Sequence, residues 1–362
     1  MDVPLTVADY ELAAAERLPP GVWDYIRGGS GEEQTLSANR DAFARHVLRP
    51  RFLVDVSEPD LSTVLLGAPL RAPIGVAPVA YHQLAHPEGE VATARAAGEA
   101  GQLLVVSVFA SRTLEEIAAA APGPLWLQLY WFRRREVVIG LVRRAEAAGY
   151  RALVLTVDTP RVGRRLRDVR RGFAVPPGIV AANLDAAVMA RAHEAVDGES
   201  ALVRHSREQF DPSLGPADLA WLCAQTDLPV LVKGVLTGAD AELAMAHGAA
   251  GVVVSNHGGR QLDGAVASVD ALAEVAAAVG GRGPVLVDGG IRTGTDVLRA
   301  VALGASAVLV GRPALWGLAV DGEPGARAVL DILAAELEDA MVLSGRPRLS
   351  DVDSSLLATR PG

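Results

Sequence analysis

Two side chains capable of chemistry lie three residues apart in one loop. The run is Ser255-Asn256-His257-Gly258-Gly259-Arg260-Gln261-Leu262-Asp263-Gly264. A histidine has an ordinary pKa of about 6.5, so the imidazole of His257 can accept a proton near neutral pH. Arg260 can bind a carboxylate through two parallel hydrogen bonds. The pattern therefore indicates a base and an anion-binding cation that share one small anionic substrate.

A glycine-rich surface turn, on which His257 and Arg260 have no function, is the alternative. The run follows the apolar segment 251–254, which is typical of a strand buried on both faces. Gly258 and Gly259 add the freedom to adopt unusual φ/ψ angles. These features favour the functional interpretation.

Composition and charge exclude several classes of protein. The chain has 362 residues, 50% of them hydrophobic, and a net charge of -9, which argues against general binding to nucleic acid or to an anionic membrane surface. One cysteine, Cys223, permits neither an intrachain disulfide nor a cysteine metal cluster, and no metal is predicted. No apolar run approaches the roughly 18 residues that span a bilayer, and the N-terminus has no signal-peptide pattern. We predict a cytoplasmic protein. A short segment rich in arginine is interpreted first as a solvated face and secondarily as an anion site, and it contains Arg161, Arg164, Arg165, Arg167, Arg170 and Arg171.

Eight short apolar runs alternate with helical patterns along the chain. They occupy residues 73–77, 103–108, 125–130, 152–158, 229–233, 251–255, 284–288 and 305–310. Near-continuous apolar runs between helices are typical of parallel strands in βα units. We predict an α/β fold of one domain, a (β/α)8 TIM barrel over residues 71–362. A doubly wound open sheet is the alternative, but residues 77–80 lack its Gly-x-Gly-x-x-Gly turn.

Two segments lie outside the repeating pattern. Residues 1–70 are predicted to form helices over 7–16, 21–27 and 33–43 that cap one end of the barrel. The connection after the fourth strand, about 159–216, is the longest one and is predicted to be a lid. Residues 181–196 of this connection could form a helix without a large apolar face, so no membrane anchor is predicted there.

Polar side chains stand at the carboxyl ends of the predicted strands, where the active sites of such barrels lie. The candidates are Ser107, Gln128, Tyr130, Thr156, Asp158, Lys233, Asn256, His257, Asp288 and Arg312. Polar ends on seven strands in register predict one shared pocket.

Glycine-rich turns follow the seventh and eighth predicted strands. Asp288-Gly289-Gly290-Ile291-Arg292 presents backbone N–H groups near a helix start, and Gly311-Arg312 adds a second turn with a cation. Barrels of this kind often bind phosphate at this place. The turns predict a phosphorylated ligand, with plain chain reversal as the alternative.

Lys233 is predicted to lie buried at the end of the fifth strand. A buried ammonium needs an anion or an electron-rich partner to offset its lost hydration. A flavin ring would provide that partner, because negative charge develops near its N1 and O2 on reduction. A structural ion pair with Asp288 or Asp158 is the alternative.

Ordered motifs over nearly the whole length resemble the FMN-dependent α-hydroxy acid oxidase and dehydrogenase family. They are Asp24-Tyr25, Ala77-Pro78-Val79-Ala80, His86-Pro87-Glu88-Gly89-Glu90, Gln128-Leu129-Tyr130, Thr156-Val157-Asp158-Thr159-Pro160, Gly163-Arg164-Arg165, Leu231-Val232-Lys233-Gly234, the run 255–264 and the run 288–292. The resemblance implies FMN as the cofactor and a small 2-hydroxy acid as the substrate. It also implies a homo-oligomer, a tetramer in the relatives. Oxygen is predicted as the electron acceptor by elimination, because the sequence shows no haem domain, no transmembrane segment and no membrane-inserting loop.

The resemblance also implies roles for individual residues. His257 would be the base, Asp158 would orient it, and Arg165 with Arg260 would bind the substrate carboxylate. Roles in the substrate site fall further on Tyr25, Ala80, Phe109 and Tyr130. Roles in FMN binding fall on Ala80, Ser107, Gln128, Thr156, Lys233, Ser255, Asp288, Gly289, Gly290, Arg292, Gly311 and Arg312. Two routes stay open: His257 takes the hydroxyl proton while a hydride leaves Cα, or it takes the Cα proton to give a carbanion.

Two departures from the family pattern bear on the substrate. Val79 stands where many relatives have threonine, and Phe109 stands where glycolate oxidases have tryptophan. Ala80, Tyr81 and Phe109 together predict room for an aromatic substituent, and the local motifs are most similar to those of 4-hydroxymandelate oxidases. We predict oxidation of (S)-mandelate or its 4-hydroxy form to the 2-oxo acid, with hydrogen peroxide formed. The alternatives are a dehydrogenase with another electron acceptor, an oxidase of lactate or glycolate, an FMN-dependent isomerase and a catalytically silent flavin-binding protein.

Overall fold

A closed barrel of parallel strands forms the centre of the molecule. The computed structural model describes residues 3–185 and 201–359. The strands of these residues are β1 (His46–Leu48), β2 (Thr63–Leu65), β3 (Ala68–Leu70), β4 (Ile74–Val76), β5 (Leu103–Ser107), β6 (Leu125–Leu129), β7 (Ala152–Thr156), β8 (Val230–Val235), β9 (Gly251–Val254), β10 (Val285–Asp288), β11 (Ala307–Val310) and β12 (Leu357–Thr359). Strands β4 to β11 pair in chain order, and β11 returns to β4 with Val310 opposite Val76. The predicted (β/α)8 TIM barrel is confirmed.

Helices surround the barrel and precede it. They are α1 (Val7–Arg17), α2 (Pro20–Arg27), α3 (Gln34–Arg45), α4 (Glu90–Glu99), α5 (Leu114–Ala120), α6 (Arg135–Ala147), α7 (Leu166–Arg171), α8 (Ala201–Gln209), α9 (Pro216–Cys223), α10 (Gly238–Ala246), α11 (Ser268–Val279), α12 (Gly294–Ala302) and α13 (Arg312–Ser344), which bends at residues 321–322. Thr113 and Thr293 each begin a helix with a capping box, in which the threonine and an acidic residue three positions later satisfy each other's backbone N–H groups.

The barrel strands are apolar on both faces because each face meets a core. Inside the barrel, Leu103, Trp126, Leu231 and Leu286 are at most 1% exposed and pack together. The antiparallel hairpin of β2 and β3 contributes Leu65 and Leu70 to the same interior core. A second, larger core lies between the strands and the helices. The continuous apolar runs of the sequence follow from this double burial.

The N-terminal segment differs from the all-helical expectation. It contains the three predicted helices, but also β1, which pairs antiparallel with β12 from the far end of the chain, and the β2–β3 hairpin. These strands are only three residues long, and the partner of β1 is distant in sequence, so no local pattern reveals them. Helices α2 and α3 lie at the carboxyl end of the barrel, where Asn39 of α3 exchanges side-chain hydrogen bonds of 2.8 and 2.7 Å with Asn256.

The connection after β7 is partly helical. It contains α7 and α8, whereas most of the helix expected over 181–196 lies outside the described residues. Within residues 3–185 and 201–359, no helix is both long and apolar enough to cross a membrane. The lid over 159–216, the division at residue 70, the tetramer and the cytoplasmic location stay predictions.

Candidate active site

A cavity of about 1160 Å³, including its open mouth, lies at the carboxyl ends of the barrel strands. Strands or loops from every part of the barrel contribute to its wall, and so does α2. The predicted site residues that line it are Tyr25, Ala80, Ser107, Phe109, Tyr130, Arg165, Lys233, His257, Arg260, Asp288, Gly289, Gly290, Arg292, Gly311 and Arg312. The sequence thus predicts one pocket, and the barrel brings these residues together there.

Four predicted site residues lie directly behind the cavity wall. Asp158 bonds to His257, and Ser255 bonds to Lys233. Gln128 accepts from the Ser107 hydroxyl at 3.3 Å and donates to Thr156 Oγ1 at 3.0 Å. These side chains fix the orientation of the residues that face the cavity.

His257 and Asp158 form a hydrogen-bonded pair at the cavity. Nδ1 of His257 lies 3.0 and 3.2 Å from the two carboxylate oxygens of Asp158. Gly234 makes the position of Asp158 possible, because a Cβ on residue 234 would lie 2.6 Å from the Asp158 Cβ. His257 itself has a φ of 61°, a left-handed conformation that non-glycine residues rarely adopt. Such strain persists where the surrounding structure holds it, typically at functional sites.

The protonation of this pair suits a base. Burial lowers the pKa of His257 below its ordinary value, although the Asp158 carboxylate acts in the opposite direction. Burial acts to raise the pKa of Asp158, but the interactions with His257 and Lys233 outweigh it and hold that pKa below its ordinary value. An ionised carboxylate only accepts, so Nδ1–H donates to Asp158 and Nε2 keeps a free lone pair. A neutral imidazole with an available Nε2 can accept a proton.

Lys233 has hydrogen-bonding partners within the protein and also lines the cavity. Its Nζ lies 3.1 Å from Asp288 Oδ2 and 2.9 Å from Ser255 Oγ, and the Ser255 hydroxyl donates to Asp288 Oδ1 at 2.6 Å. Lys233 therefore forms the ion pair with Asp288 that the sequence offered as the alternative to a flavin partner. Lys233 and Asp288 both line the cavity, so the pair presents its charges to a ligand rather than excluding one.

Two arginines and a tyrosine stand together on one side of the cavity. The Arg260 guanidinium lies 5.1 Å from the ring centre of Tyr25, and the Arg165 guanidinium lies 5.9 Å from it. Arg260 donates to the carbonyls of Tyr25 and Gly28, while the buried Nε of Arg165 has no hydrogen-bond partner among the residues that the structure describes. Burial and the charge of Arg165 lower the pKa of Arg260 to about 10. Arg165 is buried and Arg260 is partly buried, and two adjacent cations in such a place call for an anion.

The end of the cavity near β10 and β11 is also cationic. The Arg292 guanidinium carbon lies 4.8 Å from the ring centre of Trp316, and within the described part of the chain its buried Nε has no hydrogen-bond partner. Burial lowers its pKa to about 10. Arg312 donates to the carbonyls of residues 26, 27, 28 and 258, so it joins the N-terminal segment to the His257 loop as well as facing the cavity. Gly290 has a φ of 90°, and a Cβ there would lie 2.0 Å from the Asn39 carbonyl oxygen.

Aromatic side chains form the remaining wall of the cavity, which we call the aromatic wall: Tyr81, Phe109, Tyr130 and Phe210. The rings of Tyr130 and Phe210 stack with their centres 4.6 Å apart. The ring centre of Phe109 lies 5.7 Å from that of Tyr130 and 6.2 Å from those of Phe210 and Tyr81. Burial raises the pKa of Tyr130 above its ordinary range, so its hydroxyl stays protonated.

Sequence reasoning missed Phe210 and Val162 as lining residues. Phe210 follows α8 and reaches the cavity because it forms an antiparallel bridge with Phe132, and Asp211 N–H donates to the Trp131 carbonyl at 2.9 Å. The available signal was weak: an isolated aromatic residue at the end of a long polar connection.

The barrel and its cationic cavity place the protein among α/β-barrel enzymes that bind a phosphorylated cofactor. The profile of the FMN-dependent dehydrogenase family matches residues 14–359, and the chain belongs to that family. It is an FMN-dependent oxidoreductase of the 2-hydroxy acid oxidase type. The resemblance found in the sequence and the FMN cofactor are confirmed.

Relatives of different substrate preference are about equally similar to the chain. Glycolate oxidase 3 of Arabidopsis thaliana is 48% identical over 353 residues, which cover 98% of this chain and 95% of that protein. L-lactate oxidase of Nostoc sp. is 49% identical over 358 residues, which cover 98% of both. A solved structure of mandelate oxidase with (S)-4-hydroxymandelic acid has a TM-score of 0.95 at 48% identity and covers 99% of both chains. The comparisons define the reaction class and leave the substrate open.

The residues of the cavity fit FMN. The lining side chains include five basic residues and one carboxylate, Asp288; the basic residues are Arg165, Lys233, Arg260, Arg292 and Arg312. This surplus of positive charge matches two anionic groups, a phosphate and a substrate carboxylate. The unpartnered Nε of Arg292 and the backbone of the 289–290 turn would hold the phosphate. Lys233 would lie against the electron-accepting ring.

Proposed function

We propose that the protein oxidises an aryl (S)-2-hydroxy acid, mandelate or 4-hydroxymandelate, to the 2-oxo acid, with oxygen reduced to hydrogen peroxide. The aromatic wall is the observation that carries this proposal. Four rings from four separate segments face the cavity, whereas glycolate and lactate offer no ring or long chain to pack against them. The similarity to the mandelate oxidase structure supports it.

The two arginines bind the substrate carboxylate in this proposal. Among the described residues, the Nε of Arg165 has no hydrogen-bond partner, and Arg260 donates through Nη1 to the carbonyls of Tyr25 and Gly28. Free N–H groups on adjacent guanidiniums can hold both oxygens of a carboxylate. This contact would orient the hydroxyl-bearing carbon toward His257.

His257 accepts a proton through Nε2 as the substrate is oxidised. The carbonyl of the 2-oxo acid forms when the hydroxyl proton and the hydrogen on Cα both leave, with two electrons. FMN, when bound, supplies the two-electron acceptor of the reaction. Asp158 holds the imidazole through Nδ1 and stabilises its charged form once the proton has been accepted.

A substrate panel tests the proposal. The holoenzyme would be assayed with glycolate, lactate, mandelate and 4-hydroxymandelate, by oxygen uptake and peroxide formation. We expect kcat/KM for an aryl acid to exceed that for glycolate at least tenfold. A preference for glycolate or lactate would overturn the aryl assignment.

The electron acceptor and the reaction class need separate readouts. Anaerobic addition of mandelate is expected to bleach the yellow flavin band, since the flavin becomes reduced. No bleaching with any of the four acids would favour an isomerase or a silent flavin protein. Bleaching without turnover in oxygen, but with turnover on a quinone or cytochrome, would favour a dehydrogenase.

A further inference from the structure

A buried carboxylate that takes no part in the proposed reaction lies behind the aromatic wall. Glu90 is the first residue of α4 and is 1% exposed. Its Oε1 accepts from the backbone N–H groups of His82 and Ser111, each at 2.9 Å, and its Oε2 accepts from the Ser111 hydroxyl at 2.6 Å. Burying a carboxylate is costly unless donors replace its water, and these three donors do so.

The three donors come from two different loops that carry the aromatic wall. His82 directly follows Tyr81 in the loop after β4. Ser111 lies two residues beyond Phe109 in the loop after β5. Glu90 therefore connects the backbone next to one ring with the backbone next to the other.

Further contacts make this connection rigid. The Tyr81 N–H donates to the Phe109 carbonyl at 3.1 Å, and the Gln83 N–H donates to Ser111 Oγ at 3.1 Å. Nδ1 of the buried His82 lies 2.9 Å from Thr93 Oγ1, one turn further along α4 than Glu90. We call His82, Glu90, Thr93 and Ser111 the Glu90 cluster.

The backbone at Tyr81 needs such support. Tyr81 has a φ of 57°, in the left-handed region, although it carries a large side chain. A conformation of this kind persists only where neighbouring contacts hold it. The hydrogen bond from the next residue, His82, to Glu90 is one of those contacts, so loss of the carboxylate would let Tyr81 move relative to Phe109.

We infer that Glu90 is a positioning residue that sets the separation of Tyr81 and Phe109 and thereby the preference of the cavity for a large 2-substituent. The inference rests on the proposed function, because it assumes that the substituent lies against the aromatic wall. Glu90 acts through the two loops and does not line the cavity. The carboxylate-binding arginines and His257 are on other loops, so small substrates depend on Glu90 much less.

The test compares Glu90→Ala, Glu90→Gln and the control Glu88→Ala. Glu88 precedes Glu90 by two residues, but its side chain is 49% exposed and pairs with Arg95 on the surface. The readout is the ratio of kcat/KM for mandelate to kcat/KM for glycolate, per bound FMN, with the melting temperature measured alongside. We expect Glu90→Ala to lower this ratio at least tenfold and Glu88→Ala to change it less than twofold.

Glu90→Gln should lie between wild type and Glu90→Ala, because the amide keeps one acceptor oxygen. A role in stability alone would lower the melting temperature or the FMN content of Glu90→Ala and leave the ratio unchanged, which would overturn the inference. If Glu90→Ala does not fold, Ser111→Ala provides the second variant, since it removes the hydroxyl contacts to Glu90 Oε2 and to the Gln83 N–H and keeps the backbone bond from Ser111 to Oε1. The ratio is expected to fall about threefold in Ser111→Ala, and an unchanged ratio would again overturn the inference.

Failure of the proposed function is a separate outcome. It would appear in the wild type as a preference for glycolate or lactate. The ratio would then be taken between the largest and the smallest acid that the wild type oxidises. A change of at least tenfold in Glu90→Ala would support the positioning role even then, and an unchanged ratio would contradict it.

Discussion

His257 combines two features that packing of the protein does not require. The residue is strained in the backbone, with a φ of 61°, and its imidazole is bonded to the partly buried carboxylate of Asp158. Neither feature serves packing, since a glycine would relieve the strain and an apolar side chain would need no partner. The hydrogen bond from Nδ1 to Asp158 leaves Nε2 unprotonated and fixes the orientation of the ring, as a base requires.

Replacement of His257 tests its role as the base. We expect His257→Ala to reduce kcat with mandelate about 10³-fold, in the range that general bases contribute, while FMN content stays unchanged. Rates of flavin reduction in stopped flow measure the effect directly. His247→Ala is the matched control, because His247 ends α10 away from the cavity. Near wild-type reduction by His257→Ala would refute the assignment.

The pH dependence follows from the lowered pKa of His257. Since the base works unprotonated, kcat/KM should be constant above pH 6.5 and fall only as the pH drops through a value below it. The Asp158 carboxylate raises this pKa, so Asp158→Asn should move the fall to lower pH and reduce the maximal rate. Profiles of kcat/KM between pH 4.5 and 9 check both signs. A fall at a higher pH in Asp158→Asn would contradict the pairing.

At the scale of elements, the short helix α7 joins the two sides of the carboxylate site. It begins directly after Arg165, and its Arg167 binds Glu33 through two hydrogen bonds of 2.6 and 2.8 Å. Arg167 also lies 3.3 Å from Asp24, the neighbour of Tyr25 in α2. The hydrogen bonds of Arg167 lower the pKa of Glu33 to about 2, so the pair stays charged under all assay conditions.

Loss of this connection should weaken substrate binding more than chemistry. We expect Arg167→Ala to raise KM for mandelate about tenfold and to change kcat less than threefold, because Arg165 and Tyr25 lose their relative position. Arg167→Lys should be intermediate, since lysine keeps the charge without the two parallel bonds. Steady-state kinetics measure both, with the exposed Arg170 of the same helix as the control in Arg170→Ala. An unchanged KM in Arg167→Ala would show that Arg165 and Tyr25 keep their relative position without the hydrogen bonds of Arg167.

The elements also show what a sequence can reveal. The barrel was predictable because strands buried on both faces require continuous apolar runs, and residues at their carboxyl ends must meet. The predicted strand over 152–158 ends two residues earlier, at Thr156, although the Val157 N–H still donates to the Lys233 carbonyl of β8 at 2.9 Å. The position of Phe210 was not predictable, since it depends on a bridge to Phe132 that no local pattern encodes.

Over the molecule as a whole, positive charge is concentrated around the cavity. Arg165 and Arg260 lie beside Tyr25, Arg292 follows the glycine turn of residues 289–290, and Arg312 donates to the same Gly28 carbonyl as Arg260. The whole chain carries a net charge of -9, so this group of four arginines is a local exception. Their mutual repulsion and lost hydration destabilise the protein without ligands, so bound anions should stabilise it.

Cofactor binding should therefore raise thermal stability through its phosphate. We expect FMN at 100 times its Kd to stabilise the protein after removal of the flavin by about 2.7 kcal/mol, visible as a higher melting temperature. Riboflavin at the same concentration lacks the phosphate and should give a clearly smaller rise. In Arg292→Ala the advantage of FMN over riboflavin should shrink, whereas the exposed Arg282 provides a control, Arg282→Ala, in which the advantage persists. The expected difference arises because the Arg292 guanidinium has no anion until the phosphate binds. Equal rises in melting temperature with FMN and riboflavin in the wild type would therefore place the phosphate outside the 289–292 turn.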